Sequence, residues 1–276
     1  MPRRNGNRLR GLSTVTTVSW LLTRDDGEIR RLTFNRPERK NAVPPEGWPV
    51  LRDAFADFEK STARVLIITG AEGEFCAGAD LDGSGSAMGE SVAFRHRRMK
   101  TVGEAASALH RTTKPTIAAV DGVAVGAGMN LALGCDIVIA STRARFSEIF
   151  VRRGLTVDFG GTWLLPRIVG LQRAKELALS GRIVDAEEAL AIGIAVEVVP
   201  PDELADRAGS VAESFLQGAP IAQMFTKQGL NASFESSFAE SLSWEGQSQA
   251  ITMGTADSVE GVAAFMEKRA PKWRGE

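Results

Sequence analysis

Along the first two thirds of the chain, short β-branched runs alternate with stretches whose apolar residues recur every three or four positions. Residues 15–22 and 28–34 read as strands on either side of the turn signal Asp26-Gly27. Leu51, Phe55 and Phe58 have the spacing of a buried helical stripe. Residues 65–69 form a compact apolar run and predict a buried strand. Residues 91–111 contain no proline and one glycine, and read as a helix that Lys114-Pro115 breaks. Residues 116–120, 126–133 and 137–140 follow as strand, helix and strand. Repeated strand–helix–strand units predict an α/β fold with mostly parallel pairing and helices outside.

The last third has a different pattern. Asp185 with Glu188 predicts a helix start, and Gly193 a stop. Residues 196–199 read as one more strand. Beyond Pro200-Pro201 the periodicity is helical throughout. Leu204, Ala208, Val211 and Phe215 share one face, and Val259, Val262, Ala263 and Met266 share another. Such faces serve as core or as a subunit interface. The chain thus divides into a basic tail at 1–13, an α/β core at 14–200 and a helical region at 201–276.

Composition narrows the partners. The 276 residues are 43% hydrophobic and 24% charged, with 33 Lys+Arg against 34 Asp+Glu and a net charge of -1. That balance gives no electrostatic case for nucleic acid or membrane. The basic residues Arg3, Arg4, Arg8 and Arg10 read as a disordered tail, and as the sole support for an RNA-binding role. The sequence contains no export-type apolar segment and no run long enough for a membrane span, so a cytoplasmic location is expected. Cys76 and Cys135 are read as reduced thiols. His96 and His110 are the only histidines and read as solvated, which disfavours a metal site or a Ser-His-Asp triad.

Three Gly-rich turns are the strongest chemical signal. They are Phe75-Cys76-Ala77-Gly78-Ala79-Asp80-Leu81, Asp121-Gly122-Val123-Ala124-Val125-Gly126-Ala127-Gly128-Met129-Asn130, and Arg153-Gly154-Leu155-Thr156-Val157-Asp158-Phe159-Gly160-Gly161-Thr162. Small residues at strand ends let a ligand approach the main chain. Two such turns side by side would aim two backbone N–H groups at a developing oxyanion. Tight turns without a ligand are the plain alternative. A dinucleotide-binding reading of Gly126-x-Gly128 is disfavoured because Leu131 stands where the third glycine belongs.

Taken together, these segments resemble the crotonase family, the enoyl-CoA hydratase/isomerase superfamily, from about residue 15 to about residue 273. The resemblance rests on Phe34-Asn35-Arg36-Pro37-Glu38-Arg39-Lys40-Asn41-Ala42, on residues 75–81, on residues 114–122, on residues 126–132, on Cys135-Asp136, on Gly160-Gly161-Thr162 with Leu165-Pro166-Arg167, and on residues 265–268. It implies a crotonase-like spiral of ββα units with a helical C-terminal region, assembled as a trimer or hexamer. It also implies an acyl-CoA thioester as substrate, with no further cofactor because coenzyme A is part of that substrate. The oxyanion donors would be the N–H groups of Ala79 and Ala127. Ala77, Asp80 and Leu81 would run beside the pantetheine arm and adenine. Arg39, Lys40 and Lys268 would approach the coenzyme A phosphates.

Two positions depart from the hydratase pattern. The family's two water-activating glutamates fall on Asn130 and Phe150, neither of which is a general base. Asp158 stands where family isomerases carry a catalytic aspartate, among apolar neighbours that would raise its pKa. It is expected to move a proton, so that a double bond shifts; capping the helix near Gly160 is its alternative. Glu148 is a second acid/base candidate, and Phe150 and Trp163 are expected in the acyl pocket. The leading expectation is therefore an isomerase. A hydratase or hydrolase with a non-standard water site and a non-catalytic acyl-CoA binder remain as competing expectations. Residues 82–90 and the C-terminal helices are expected to set acyl length.

Overall fold

The computed structural model describes residues 16–81 and 91–276. The basic tail and the loop at 82–90 lie outside the described residues. The chain opens with β1 (Thr16–Val18), β2 (Leu21–Asp26) and β3 (Ile29–Phe34), all antiparallel. The expected single strand at 15–22 is therefore two strands. It reverses at Ser19-Trp20, where Trp20 buries its ring against Phe34 at a centroid distance of 6.4 Å. The β2–β3 hairpin turns at Gly27, whose φ of 62° suits glycine.

Helix α1 (Gly47–Lys60) then leads to β4 (Val65–Gly70), and α2 (Val92–His110) to β5 (Thr116–Val120). The Ser91 side chain accepts the Phe94 N–H and so caps α2. After β5 come β6 (Val123–Val125), α3 (Ala127–Leu133), β7 (Ile137–Ser141), β8 (Arg145–Ser147) and a 3-10 turn at Ile149–Arg153. Next are α4 (Gly161–Val169), α5 (Leu171–Ser180), β9 (Val184–Asp185), α6 (Ala186–Ala191) and β10 (Glu197–Val199).

Among the described residues the large sheet runs β1-β2-β3-β4-β5-β7-β10 and is parallel from β3 onward. A small sheet, β6-β8-β9, lies beside it. After β4 the chain bridges Cys76 to Ala124 of β6; after β5 it enters β6, and after β7 it enters β8. Each turn thus contributes to the large sheet and then to the small one, which is the crotonase-like spiral. Residues 123–125, 145–147 and 184–185 were not read as strands, because two or three residues carry no periodicity.

The central strands β4, β5 and β7 of the large sheet are buried on both faces, which explains their continuous apolar runs. Leu66, Ile68, Ala118, Val120, Val138 and Ala140 face a core shared with α1 and α2. Val65, Ile67, Ile117, Ala119 and Ile139 face α7 (Leu204–Leu216) through its Leu204, Ala208 and Ala212. The expected apolar face of α7 is therefore core. The chain ends in α8 (Pro220–Ala232), α9 (Phe238–Met253) and α10 (Ala256–Glu267). On α10, Val259, Val262 and Met266 are exposed, so that expected face is not core within one protomer.

Candidate active site

The two donor turns are fastened by main-chain bonds. On one side the Val43 N–H donates to Gly78 O at 2.8 Å and the Asp80 N–H to Val43 O at 2.8 Å. The Ala77 N–H donates to Lys40 O at 3.0 Å. On the other side the Cys76 N–H donates to Val123 O at 2.9 Å and the Val125 N–H to Cys76 O at 3.0 Å. Gly128 admits this approach, because a Cβ there would lie 2.1 Å from Cys76 O. A Cβ on Gly78 would stand 3.3 Å from the Ala127 nitrogen, so the two turns are adjacent.

Ala79 is exposed, and Ala127 opens α3. Neither N–H meets an acceptor among the described residues. Main-chain donors left free on adjacent turns are the kind of group that can stabilise a developing oxyanion.

Behind Ala127, side chains from three segments converge. Asn130 is fully buried and donates from Nδ2 to Asp158 O at 2.9 Å and to Glu148 Oε2 at 3.3 Å. Gly161 lies flat against that amide, and a Cβ there would be 2.4 Å from Asn130 Oδ1. Asn130 Oδ1, Glu148 Oε1 and Asp158 Oδ1 are all buried without a partner among the described residues. Burial pushes the Asp158 carboxyl up to about 6. Burial pushes Glu148 up to about 8; the Asn130 hydrogen bond opposes that rise and the Asp158 charge adds to it.

The Asp158 side chain does not cap α4. Its main-chain oxygen accepts the Gly161 N–H at 3.0 Å, while Gly160 holds the N-cap position and no side chain bonds there. Phe159 beside it has a φ of 50°, an uncommon conformation for a bulky residue, and packs its ring on Trp48 with centroids 5.7 Å apart.

Comparison with known proteins bears on what this arrangement serves. Residues 24–276 match the profile of the enoyl-CoA hydratase/isomerase family. The chain belongs to that family. It is 38% identical to the 1,2-epoxyphenylacetyl-CoA isomerase of Escherichia coli over 94% of this chain and 100% of the relative. It is 35% identical to the short-chain-enoyl-CoA hydratase of Clostridium acetobutylicum over 88% of this chain and 93% of the relative. The enoyl-CoA hydratase/isomerase from Cupriavidus metallidurans superposes with a TM-score of 0.87 at 37% identity, covering 94% and 98% of the two chains. The protein is thus an enoyl-CoA hydratase/isomerase family enzyme acting on acyl-CoA.

Of the two positions on which the hydratase glutamates were expected to fall, Asn130 stands at the centre of the buried cluster and Phe150 lies elsewhere. The Phe150 ring covers the N-cap of α3, with Cζ 3.6 Å from where a Cβ on Gly126 would be. Phe150 is therefore beside the Ala127 donor. Trp163 instead lines a cavity of about 700 Å³ between α2, α4 and α8, with Phe159 and Gly160 in the wall. Its ring meets His110 at 5.1 Å and the Arg167 guanidinium at 3.8 Å. Ala79 and Ala127 are not part of that wall.

Lys40 is exposed and pairs with Glu74 at 3.1 Å, Arg39 is exposed, and Leu81 is half exposed beyond Asp80. Lys268 ends α10 with an exposed side chain, and no described contact joins it to the Arg39-Lys40 turn.

Two residues of the first motif have a role that was not read from it. Arg36 donates to Ala42 O at 3.0 Å and to Asp80 Oδ2 at 2.8 Å, tying the motif to the donor turn. Asn41, buried with a φ of 58°, donates to Ala71 O and Glu74 O and accepts the Arg36 N–H. A polar residue in a left-handed turn is the signal that could have found Asn41.

Proposed function

We propose that the enzyme moves a double bond within an acyl-CoA thioester. The carrying observation is the Asp158 carboxyl, whose Oδ1 is buried without a partner among the described residues, beside Asn130 of the helix that Ala127 opens, with no capping bond to occupy it. The thioester oxygen sits between the N–H groups of Ala79 and Ala127. Charge flowing onto that oxygen is stabilised, so the neighbouring carbon becomes acidic; one such donor contributes about 2.7–4 kcal/mol. Asp158 takes that proton as a carboxylate, and the C–H electron pair becomes the enolate. The Asp158 hydroxyl then returns the proton to a remote carbon, and the double bond is left in its new place. Asn130 and Phe150 stand where water-activating glutamates would be, which supports isomerisation over hydration.

Ala77, Asp80 and Leu81 flank the pantetheine arm in this reading, Arg39, Lys40 and Lys268 lie toward the phosphates, and Phe150 bounds the reacting carbons. Trp163 extends the acyl wall through Phe159 and Gly160. The protein works as a cytoplasmic trimer or hexamer.

A second reading, hydration from a water held by Glu148, draws on the unpartnered buried Glu148 Oε1. A spectrophotometric panel of 2-enoyl-, 3-enoyl- and 2,4-dienoyl-CoA thioesters separates the two. Isomerisation with little hydration is expected, and Asp158→Asn should lower it by about 10²–10⁴-fold. Full activity of that variant would sink the proposal. Ready hydration of crotonyl-CoA would favour the second reading, and binding without turnover a non-catalytic role.

A further inference from the structure

Glu148 has no part in the proton path just described, yet it is 1% exposed, and the one hydrogen bond to its carboxyl among the described residues comes from Asn130. Asn130 Nδ2 has two hydrogens, directed at Asp158 O and Glu148 Oε2. Nothing among the described residues then donates to Asn130 Oδ1, Glu148 Oε1 or Asp158 Oδ1. Gly161 closes the space over the amide, so the amide cannot withdraw. Two ionised carboxyls in such a pocket would repel each other with no donor between them.

We propose that Glu148 is the positioning residue of the reaction: its carboxyl keeps one proton through the whole cycle, supplies the donor this cluster lacks, and leaves Asp158 as the ionised member of the pair. The inference rests on Asp158 being the base. Proton bookkeeping is closed: Asp158 gains a proton from the substrate and gives it back, while Glu148 begins and ends each turnover protonated. The raised titration of both groups agrees with this order, since Glu148 holds its proton more tightly than Asp158.

Among the described residues, the charged side chains of the neighbouring elements are engaged elsewhere or exposed. Helix α3 has no titratable side chain. On α4, Arg167 stacks on Trp163 and pairs with Glu235. Arg152, in the 3-10 turn after Glu148, donates to Ser180 O, and Arg145 of β8 donates to Ala144 O. On α5, Glu176 pairs with Arg182, Arg173 approaches Glu188, and Lys175 is exposed. Asp185 of β9 accepts the Glu188 N–H.

The test is the pH dependence of kcat/KM on a 3-enoyl-CoA thioester from pH 5 to 9.5, for the full chain and for Glu148→Gln. Wild-type activity should rise as Asp158 ionises near 6 and fall as Glu148 ionises near 8. The amide of Glu148→Gln keeps a donor and cannot ionise. The variant should keep the acid limb, lose the alkaline limb and exceed the wild type at pH 9.5 by on the order of tenfold. A variant profile that superposes on the wild type overturns the inference. Loss of activity at every pH with thioester binding intact also overturns it, by making Glu148 a proton-transferring group.

Infrared detection of a protonated carboxyl in Asp158→Asn at neutral pH, lost on raising the pH, tests the same proton without turnover and without substituting Glu148. Absence of that band counts against the inference. If Asp158→Asn keeps full isomerase activity, the underlying reading fails. If Asp158→Asn is inactive and Glu148→Gln follows the same pH profile as the wild type, only the role of Glu148 fails.

Discussion

In the proposed mechanism the turns around Ala79 and Ala127 hold their chemistry in the main chain, whereas the cluster of Asn130, Glu148 and Asp158 holds it in side chains. In the first region the neighbouring carbonyls and amides are paired, leaving two N–H groups open. In the second, three buried oxygens are left over. A main-chain donor site is insensitive to most side-chain changes, so it suits the step that a whole family shares. Unpartnered buried side chains are costly to keep and easily retuned by one substitution, so they suit the step that distinguishes one reaction from another. The contrast accounts for a chain that matches both an isomerase and a hydratase at similar identity.

The sharpest way to break this contrast is to disturb the side-chain region while sparing the main-chain one. Gly161→Ala places a methyl 2.4 Å from Asn130 Oδ1, and the amide must move. Overpacking of this kind costs about 1–3 kcal/mol in stability. Activity should fall much further than binding, because the donor turns are untouched while Asp158 loses its support. Denaturant melts together with the binding of an unreactive acyl-CoA would check it. Equal losses in kcat and affinity would show that the two regions are not separable.

The complementary change is Arg36→Ala, which removes one partner of the Asp80 carboxylate and the tie from the first motif to the Ala79 turn. The Asp80 side chain is only 9% exposed, so a loss of about 1–3 kcal/mol is expected. The looser donor should lower kcat more than it raises KM, and the acid limb of the pH profile should stay where it is. A displaced limb would mean that the donor turn and the Asp158 cluster are coupled.

How much of this was legible beforehand follows the same division. The glycines at 78 and 128 were readable because close main-chain approach leaves no room for a side chain, and Gly126 because its φ of 58° suits glycine. The central strands were readable because both faces are buried and each run is apolar throughout. The reversal at Ser19-Trp20 was hidden because the residues on both sides of it look strand-like. The small sheet was hidden because its strands are too short for a pattern. Glu148 was readable as a carboxylate near the right place. Its contact with Asn130, eighteen positions away, and its loss of solvent come from tertiary packing that no local pattern carries. The same holds for Asp158, whose alternative as a helix cap is excluded only in three dimensions, where its carbonyl takes the Gly161 N–H and its side chain makes no cap bond.

The smallest expected effect concerns the rim of the donor region. The Lys40 carbonyl accepts the Ala77 N–H, but its side chain is 60% exposed and pairs with Glu74. An exposed pair contributes less than about 1 kcal/mol, so Lys40→Ala should leave the melting temperature nearly unchanged. If the ammonium group meets the coenzyme A phosphates, KM should rise a few-fold for the coenzyme A thioester and not for the matching pantetheine thioester, which lacks the nucleotide phosphates. That rise should shrink at high salt, because exposed charges are screened. Equal KM changes for both thioesters would assign Lys40 to the main-chain clamp alone, and the phosphates would then have to be met by other residues such as Arg39.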